Sequence, residues 1–384
     1  MKVSVLYLAI DVNFKGGIQR YSRAQIQSLR EILGLDQVAV LVLHPLPEGH
    51  LGFEEPFEIM HVEKNKNFLG RISFSLRAIF KSLRDNPDII WVNHVKLFPL
   101  ANFIRFISRT RTVVGNVYGL EIWSSLSALE NNSFRKLTHI VSDAFFTANY
   151  VHENFNVPED HISVIWDPVD INRFAFRKSA DRILQKYGVP YHADDCYLMT
   201  LGRVSVNSRH KGYDRMLDVM HLINNKNVVY LIVGEGDDRK RLEMRVATEN
   251  LVGQVYCLGG VTESDLVDIY NAADIFVLVS DRSPGRGEGV PLSPLEAASC
   301  SIPIIVGNED GSLEAVEEGV NGFIVSPRDI DQIKTAILTL VEDPVLRKTM
   351  GRAARIKVET DFSYAAFRNR VKNTLSGLRI DPPN

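Results

Sequence analysis

Cysteine is scarce in this chain of 384 residues. Cys196, Cys257 and Cys300 lie far apart and form no CxxC pair. That excludes a disulfide-stapled scaffold and a cysteine zinc site, and it suits a reducing compartment. Long apolar runs are also missing, since each is broken by Asp, Asn or Arg well short of the ~20 residues a membrane span requires. The opening MKVSVLYLAI runs straight into Asp11 without a small-residue cleavage pattern, and it reads as a first buried strand. Charge of one sign is not in excess. The formal net charge is -3, so bulk positive charge does not make the chain a nucleic-acid binder. Repeats and low-complexity segments are absent too. What is present is ordinary globular composition, 45% hydrophobic and 24% charged, in a chain long enough for two domains.

Short β-branched runs of strand length recur at 3–9, 38–43, 89–93, 112–117 and 162–166, alternating with helical patterns such as Ile18 to Ile32. The same alternation restarts at 197–201, 228–233, 255–258, 275–279 and 302–306. Near-continuous apolar strands alternating with helices predict an α/β fold of two doubly wound parallel sheets. The break is placed by Pro168 and the charged stretch that follows it. The expected domains are 1–167, 168–362 and a C-terminal helix and tail at 363–384 that crosses back to the first. Asp343-Pro344 and Asp361 to Ser363 divide the final helices, where Asp or Ser can cap.

Ligands of such sheets bind beyond the carboxyl ends of the strands, so the strand-to-helix turns carry the candidate chemistry. Gly16-Gly17 opens a helix after the first strand. Two glycines there suit either a tight turn or the approach of an anion to a helix N-terminus. Gly202-Arg203 ends a strand, and Lys211-Gly212 opens the next helix. The two cations could converge on one diphosphate, or each could be a solvated surface charge. Val233-Gly234-Glu235-Gly236-Asp237-Asp238 lacks the third glycine of a dinucleotide fingerprint and reads as a turn with Asp237 or Asp238 as a helix cap. Glu288-Gly289-Val290-Pro291-Leu292-Ser293-Pro294-Leu295-Glu296 sets two carboxylates eight positions apart. One stands at a loop and the other inside the following helix, with the Leu292 and Ser293 amides free to face phosphate.

These segments, taken with Leu258-Gly259-Gly260-Val261, Tyr270 to Asp274, Gly307 to Gly311 and Asn321-Gly322, resemble the retaining GT-B glycosyltransferases of family 4 over nearly the whole chain. The resemblance implies two Rossmann-like domains facing across a cleft, the second binding a nucleotide-sugar donor and the first an acceptor. It implies that Arg203 and Lys211 clamp the donor diphosphate and that Glu288 contacts the donor sugar near its 3-hydroxyl. Glu296 would hold the ribose and Val261 would read the base through its backbone. Gly17, beside Gly16, would approach the distal phosphate, with Gly202, Gly234, Gly289, Val290, Pro291, Leu292 and Ser293 completing the donor-site backbone. A front-face mechanism follows, in which the leaving phosphate helps to deprotonate the acceptor.

Three departures from that family stand out. Tyr118 occupies the position of a common histidine in Tyr118-Gly119-Leu120-Glu121, Val290 and Pro291 replace Phe and Gly, and Trp166-Asp167-Pro168-Val169-Asp170 replaces Pro-Asn-Gly-Val-Asp. On the acceptor side the candidates are Tyr118, Glu121 and His94, the last of which also reads as a loop or core histidine. The expected donor is UDP-glucose or a close UDP-hexose, with no metal and no further cofactor. The expected acceptor is a carbohydrate or lipid-linked hydroxyl in cell-envelope or exopolysaccharide assembly. A sugar-nucleotide epimerase of the same fold and a non-catalytic sugar-nucleotide binding protein are the alternatives.

Positive charge is concentrated locally. From 64 to 111 there are ten Lys and Arg against two acids, interleaved with bulky apolar residues. Such helices lie on anionic membranes, where each cation is worth about 1 kcal/mol, or pack their apolar face on the sheet. A cytoplasmic protein with peripheral contact at the inner membrane face is the expectation, and nucleic acid is not an expected partner.

Overall fold

The computed structural model describes residues 3–13, 16–44, 59–61, 68–177, 180–223, 225–283 and 285–379. The chain divides into two compact units, one of residues 1–168 with 364–384 and the other of 169–363.

The first unit holds a seven-stranded sheet in the order β3-β2-β1-β4-β5-β6-β7. Its strands are β1 Val5–Ala9, β2 Val38–Val42, β3 Ile59–His61, β4 Ile89–Val92, β5 Thr112–Val117, β6 His139–Ser142 and β7 Ile162–Val164. Every neighbouring pair is parallel. Side chains of a strand alternate between faces, and β1 divides accordingly. Val5, Tyr7 and Ala9 join the core under the helices Gly17–Leu33 and Tyr364–Gly377. Leu6 and Leu8 join the core under Phe68–Asp85 and Phe98–Ile107. Both faces of β1 and β4 are buried, which is why these strands read as unbroken apolar runs.

The C-terminal helix belongs to this unit. Tyr21 packs edge-on against Phe367 at 5.2 Å, Ser28 Oγ donates to the Tyr364 hydroxyl at 3.2 Å, and Arg368 pairs with Glu31 at 3.0 Å. Phe367, Val371 and Leu375 are fully buried, each stabilising the fold by about 1.5–3 kcal/mol.

The second unit holds a six-stranded sheet in the order β10-β9-β8-β11-β12-β13. Its strands are β8 Cys196–Leu201, β9 Val228–Val233, β10 Val255–Gly259, β11 Ile275–Leu278, β12 Ile304–Gly307 and β13 Gly322–Val325, again all parallel. Helices Ile330–Glu342 and Pro344–Asp361 follow, opened by Asp329 and Asp343, whose carboxylates accept the free amides of the first turn. Asp238 departs from its expected role. It occupies the cap position of the helix Arg239–Thr248 without capping it, because its carboxylate is taken by Arg209 and Arg241. Asp237 instead accepts the Val206 amide at 3.0 Å.

Candidate active site

In the second sheet, β8 lies beside both β9 and β11, so the connection leaving β8 runs one way and that leaving β11 the other. A crevice opens beyond the carboxyl ends of such a strand pair. The Gly202-Arg203 turn follows β8 at this point, and the loop carrying Glu288 follows β11.

Lys211 ends a short 3-10 segment, Val206–Lys211. Gly212 then turns the chain with φ of 90° into the helix Tyr213–Leu222, a backbone that side-chain-bearing residues seldom adopt. The Lys211 stem lies across Gly202, where an added Cβ would meet the Lys211 Cδ at 2.9 Å. Glycine at 202 therefore leaves the space the lysine occupies. Gly234, after β9, leaves no such room, and a Cβ there would strike the Gly202 carbonyl oxygen.

Lys211 Nζ donates to Glu288 Oε1 at 2.6 Å, and His210 Nε2 lies 2.9 Å from the same oxygen. Burial would raise the Glu288 carboxyl, but the Lys211 charge and the hydrogen bonds from His210 and Lys211 outweigh it and hold the pKa at about 2. The Glu288 amide donates to Asp310 Oδ2 at 3.1 Å, and the Gly311 amide donates to the Glu288 carbonyl, also at 3.1 Å. Asp310 is fully buried. Burial pushes its carboxyl up to about 6, against the hydroxyl and amide of Ser312 and the hydroxyl of Ser280, while the Glu288 charge adds to the rise. The sequence names Lys211 and Glu288 separately; the structure joins them and adds His210 and Asp310. The signal for His210 was its adjacency to Lys211, and that for Asp310 its place in the Gly307 to Gly311 segment.

Glu288 to Pro291 lead into the helix Leu292–Ser299, whose cap residue Pro291 makes no side-chain hydrogen bond. The amides of Leu292 and Ser293 stand at the first turn, where a helix has no internal acceptor for them and where an anion is favoured. Glu296, 7% exposed, projects from this helix. Its Oε2 accepts the hydroxyl of the fully buried Tyr270 at 2.8 Å. Tyr270 thus orients Glu296, a role its sequence segment did not disclose.

Arg203 is exposed at the end of β8, and no described residue pairs with its guanidinium. Val261 follows β10 in a turn tied down by the Gly260 amide, which donates to Glu235 Oε1 at 2.9 Å. Among the described residues, no group of three or more His, Cys, Asp or Glu is placed to hold a metal.

The acceptor-side candidates lie in the first unit. There the strand order reverses between β1 and β4, with Gly16 and Gly17 exposed at the helix start after β1. His94 follows β4. Its Nδ1 accepts the Lys96 amide at 3.2 Å, and burial, with help from the Lys96 charge, lowers its pKa to about 4, so it is a neutral cap. The Tyr118 hydroxyl accepts the Asn116 side-chain amide at 3.0 Å. The ring packs edge-on against Tyr21 at 5.2 Å and is buried. That hydroxyl is turned into a polar core with Gln25 and Trp91. Glu121 Oε1 accepts the Tyr118 amide at 2.6 Å, and burial pushes its carboxyl up to about 7.

Two family matches span most of the chain. Residues 15–173 match the family described as Glycosyltransferase Family 4, and residues 197–357 match Glycosyl transferases group 1. The chain is a GT-B glycosyltransferase of the family 4 type. Glycosyl transfer is its activity. A GDP-mannose-dependent monoacylated alpha-(1-6)-phosphatidylinositol monomannoside mannosyltransferase of Corynebacterium glutamicum is 28% identical over 68% of this chain and 69% of its own length. A UDP-Gal:alpha-D-GlcNAc-diphosphoundecaprenol alpha-1,3-galactosyltransferase of Escherichia coli is 32% identical over 38% of this chain and 36% of its own. Among solved structures, HepE of Anabaena in complex with UDP superposes with a TM-score of 0.76 at 20% identity, covering 98% of this chain and all of that one. Sucrose-phosphate synthase of Thermosynechococcus elongatus gives 0.74 at 19% identity, covering 98% and 99%. These structures share the fold with this glycosyltransferase. No described helix is long and apolar enough to cross a membrane.

Proposed function

We propose that this glycosyltransferase moves a hexose from a UDP-sugar, with UDP-glucose the first candidate, to a carbohydrate or lipid-linked hydroxyl in envelope or extracellular polysaccharide assembly. The observation that carries the reading is the Lys211–Glu288 pair beside β8, followed in the chain by a helix start with free amides. A diphosphate laid there meets a cation and helix N–H groups as its charge grows in the transition state. Arg203 supplies a second cation, so the charge is met without a divalent ion. Glu288 accepts hydroxyls of the donor sugar and Glu296 those of the ribose. The sugar is transferred with retention, the leaving phosphate taking the acceptor proton. UDP is favoured over GDP by the likeness to the UDP-Gal-dependent relative, while the likeness to the GDP-mannose-dependent one supports the competing choice.

Calorimetric titration with UDP, GDP and ADP in the absence of divalent ions tests the donor. UDP is expected to bind, and Glu296→Ala to weaken it about 10 to 100-fold, since a charged hydrogen bond is worth about 1.5–3 kcal/mol. Tyr270→Phe keeps the buried ring and deletes the bond that orients Glu296, so a smaller loss of about 3 to 10-fold is expected. Tighter binding of GDP would transfer the reading to a GDP-sugar. Unchanged affinity in Glu296→Ala would remove the ribose contact.

A further inference from the structure

The basic, apolar stretch ahead of β5 has two physical outcomes, an apolar face packed on the sheet or one left outside. In the helix Phe68–Asp85 the residues buried against the first sheet are Gly70, Phe74, Ala78 and Ser82, small ones apart from the phenylalanine. Ile72, Leu76, Phe80 and Leu83 point outward, with Leu76 60% and Phe80 65% exposed. Positions spaced by four and three residues fall on one helix face, so these side chains form a single stripe. The helix Phe98–Ile107 touches this helix and covers the same sheet face. It leaves Phe103 and Phe106 outside, the latter 87% exposed. Large exposed apolar side chains gathered on two touching helices mark a binding face.

Cations flank the stripe. Arg77, Arg84, Arg105 and Arg109 are exposed. The Arg105 guanidinium donates to the Lys136 carbonyl, and Arg84 pairs with Asp85. The chain as a whole carries -3, yet 64–111 holds an excess of eight positive charges. We propose that this two-helix face docks the enzyme on an anionic lipid bilayer, the phenylalanines and leucines entering the acyl boundary and the arginines meeting phosphate headgroups. An amphipathic face with aromatic and leucine side chains between arginines matches the charge and polarity profile of that interface. The inference deepens the acceptor reading above and rests on it for its purpose, since a membrane-docked transferase meets a lipid-linked acceptor without extracting it.

The test is cosedimentation of the full-length enzyme with vesicles of phosphatidylcholine alone and of phosphatidylcholine mixed with phosphatidylglycerol. Binding to the anionic vesicles, weakened by salt, is the expected result. R77Q/R109Q should lower the partition by about five-fold for each cation removed, and F80S/F106S by about ten-fold or more. In an F106W variant the added indole should shift its emission to the blue on anionic vesicles and be quenched by brominated lipid. UDP calorimetry and thermal melting on the same variants separate this proposal from the donor reading, because the substituted side chains are exposed and lie in the other unit. Equal binding to neutral vesicles, binding indifferent to both double substitutions, or no binding at all would overturn it. So would a concentration-dependent dimer that F80S/F106S abolishes, which would assign the face to a second copy.

Discussion

Lys211→Ala is expected to slow transfer by about 10²- to 10³-fold, the loss seen when one preorganised donor to a developing anion is removed. The lysine is positioned before any ligand arrives. The Gly212 turn aims it, the missing Cβ at Gly202 makes room for its stem, and Glu288 holds its ammonium at 2.6 Å. A charge already in place costs no reorganisation when the diphosphate departs, and that is where the rate effect originates. The affinity for UDP should fall as well, since the cation serves the ground state too.

The same substitution carries a pH signature. A carboxyl whose folded pKa is depressed contributes stability above its unfolded value, near 4.3 for glutamate, and that contribution is lost as pH falls through the folded pKa. For Glu288 the folded value is about 2. Removing Lys211 takes away the largest influence that lowers it while burial remains, so the folded value rises toward or above the unfolded one, and the stability that Glu288 loses on acidification in the wild type should shrink or turn into a gain in the variant. Turnover with a UDP-hexose and melting temperature between pH 3 and 6 measure the two effects. Turnover within about three-fold of wild type would take Lys211 out of the clamp.

The central strands were legible because both their faces are buried. β1, β4, β9, β11 and β12 are wholly buried and appear as apolar runs in the sequence. β3, β6 and β13 were not anticipated. Each is three or four residues long, β3 and β13 are sheet edges, and the middle residues of β13 are only half-buried. In β13 partial burial removes the apolar contrast on which such a reading depends, and in β6, where three of four residues are buried, the run is simply too short to stand out. In the site, the residue types were legible and their contacts were not. Lys211 and Glu288 are 77 positions apart, and nothing local states that they share an oxygen with His210. Tyr118 shows the limit most plainly. A hydroxyl at that position suggested an acceptor contact, but the polar partners that draw it inward, Asn116 and through it Gln25, come from β5 and the helix Gly17–Leu33. Side-chain direction was a tertiary outcome there, as it was for the helix Phe68–Asp85, where Phe74 and three small residues are packed on the sheet while the larger apolar stripe is left outside.

Glu288→Gln should separate chemistry from binding. The amide keeps the shape and one acceptor oxygen but not the charge, so the ammonium of Lys211 is released from its ion pair and becomes available to a diphosphate. UDP affinity is therefore expected to hold or rise slightly, opposite in direction to Lys211→Ala. Transfer should nevertheless fall by about 10²-fold or more, because a charged acceptor for the donor sugar is lost as charge develops at the reacting carbon. Asp310 adds a check. The Glu288 charge helps to raise its carboxyl toward about 6, so neutralising Glu288 should lower that pKa and move any acid limb due to Asp310 to lower pH. The loop itself should stay in place, since Asp310 holds it through the Glu288 backbone amide rather than its side chain. The double variant with Lys211→Ala should be less impaired than the two single losses combined, as expected for side chains in direct contact. Full additivity of the two would mean that lysine and glutamate act on the donor independently, and that their contact in the free enzyme has no part in preparing the site.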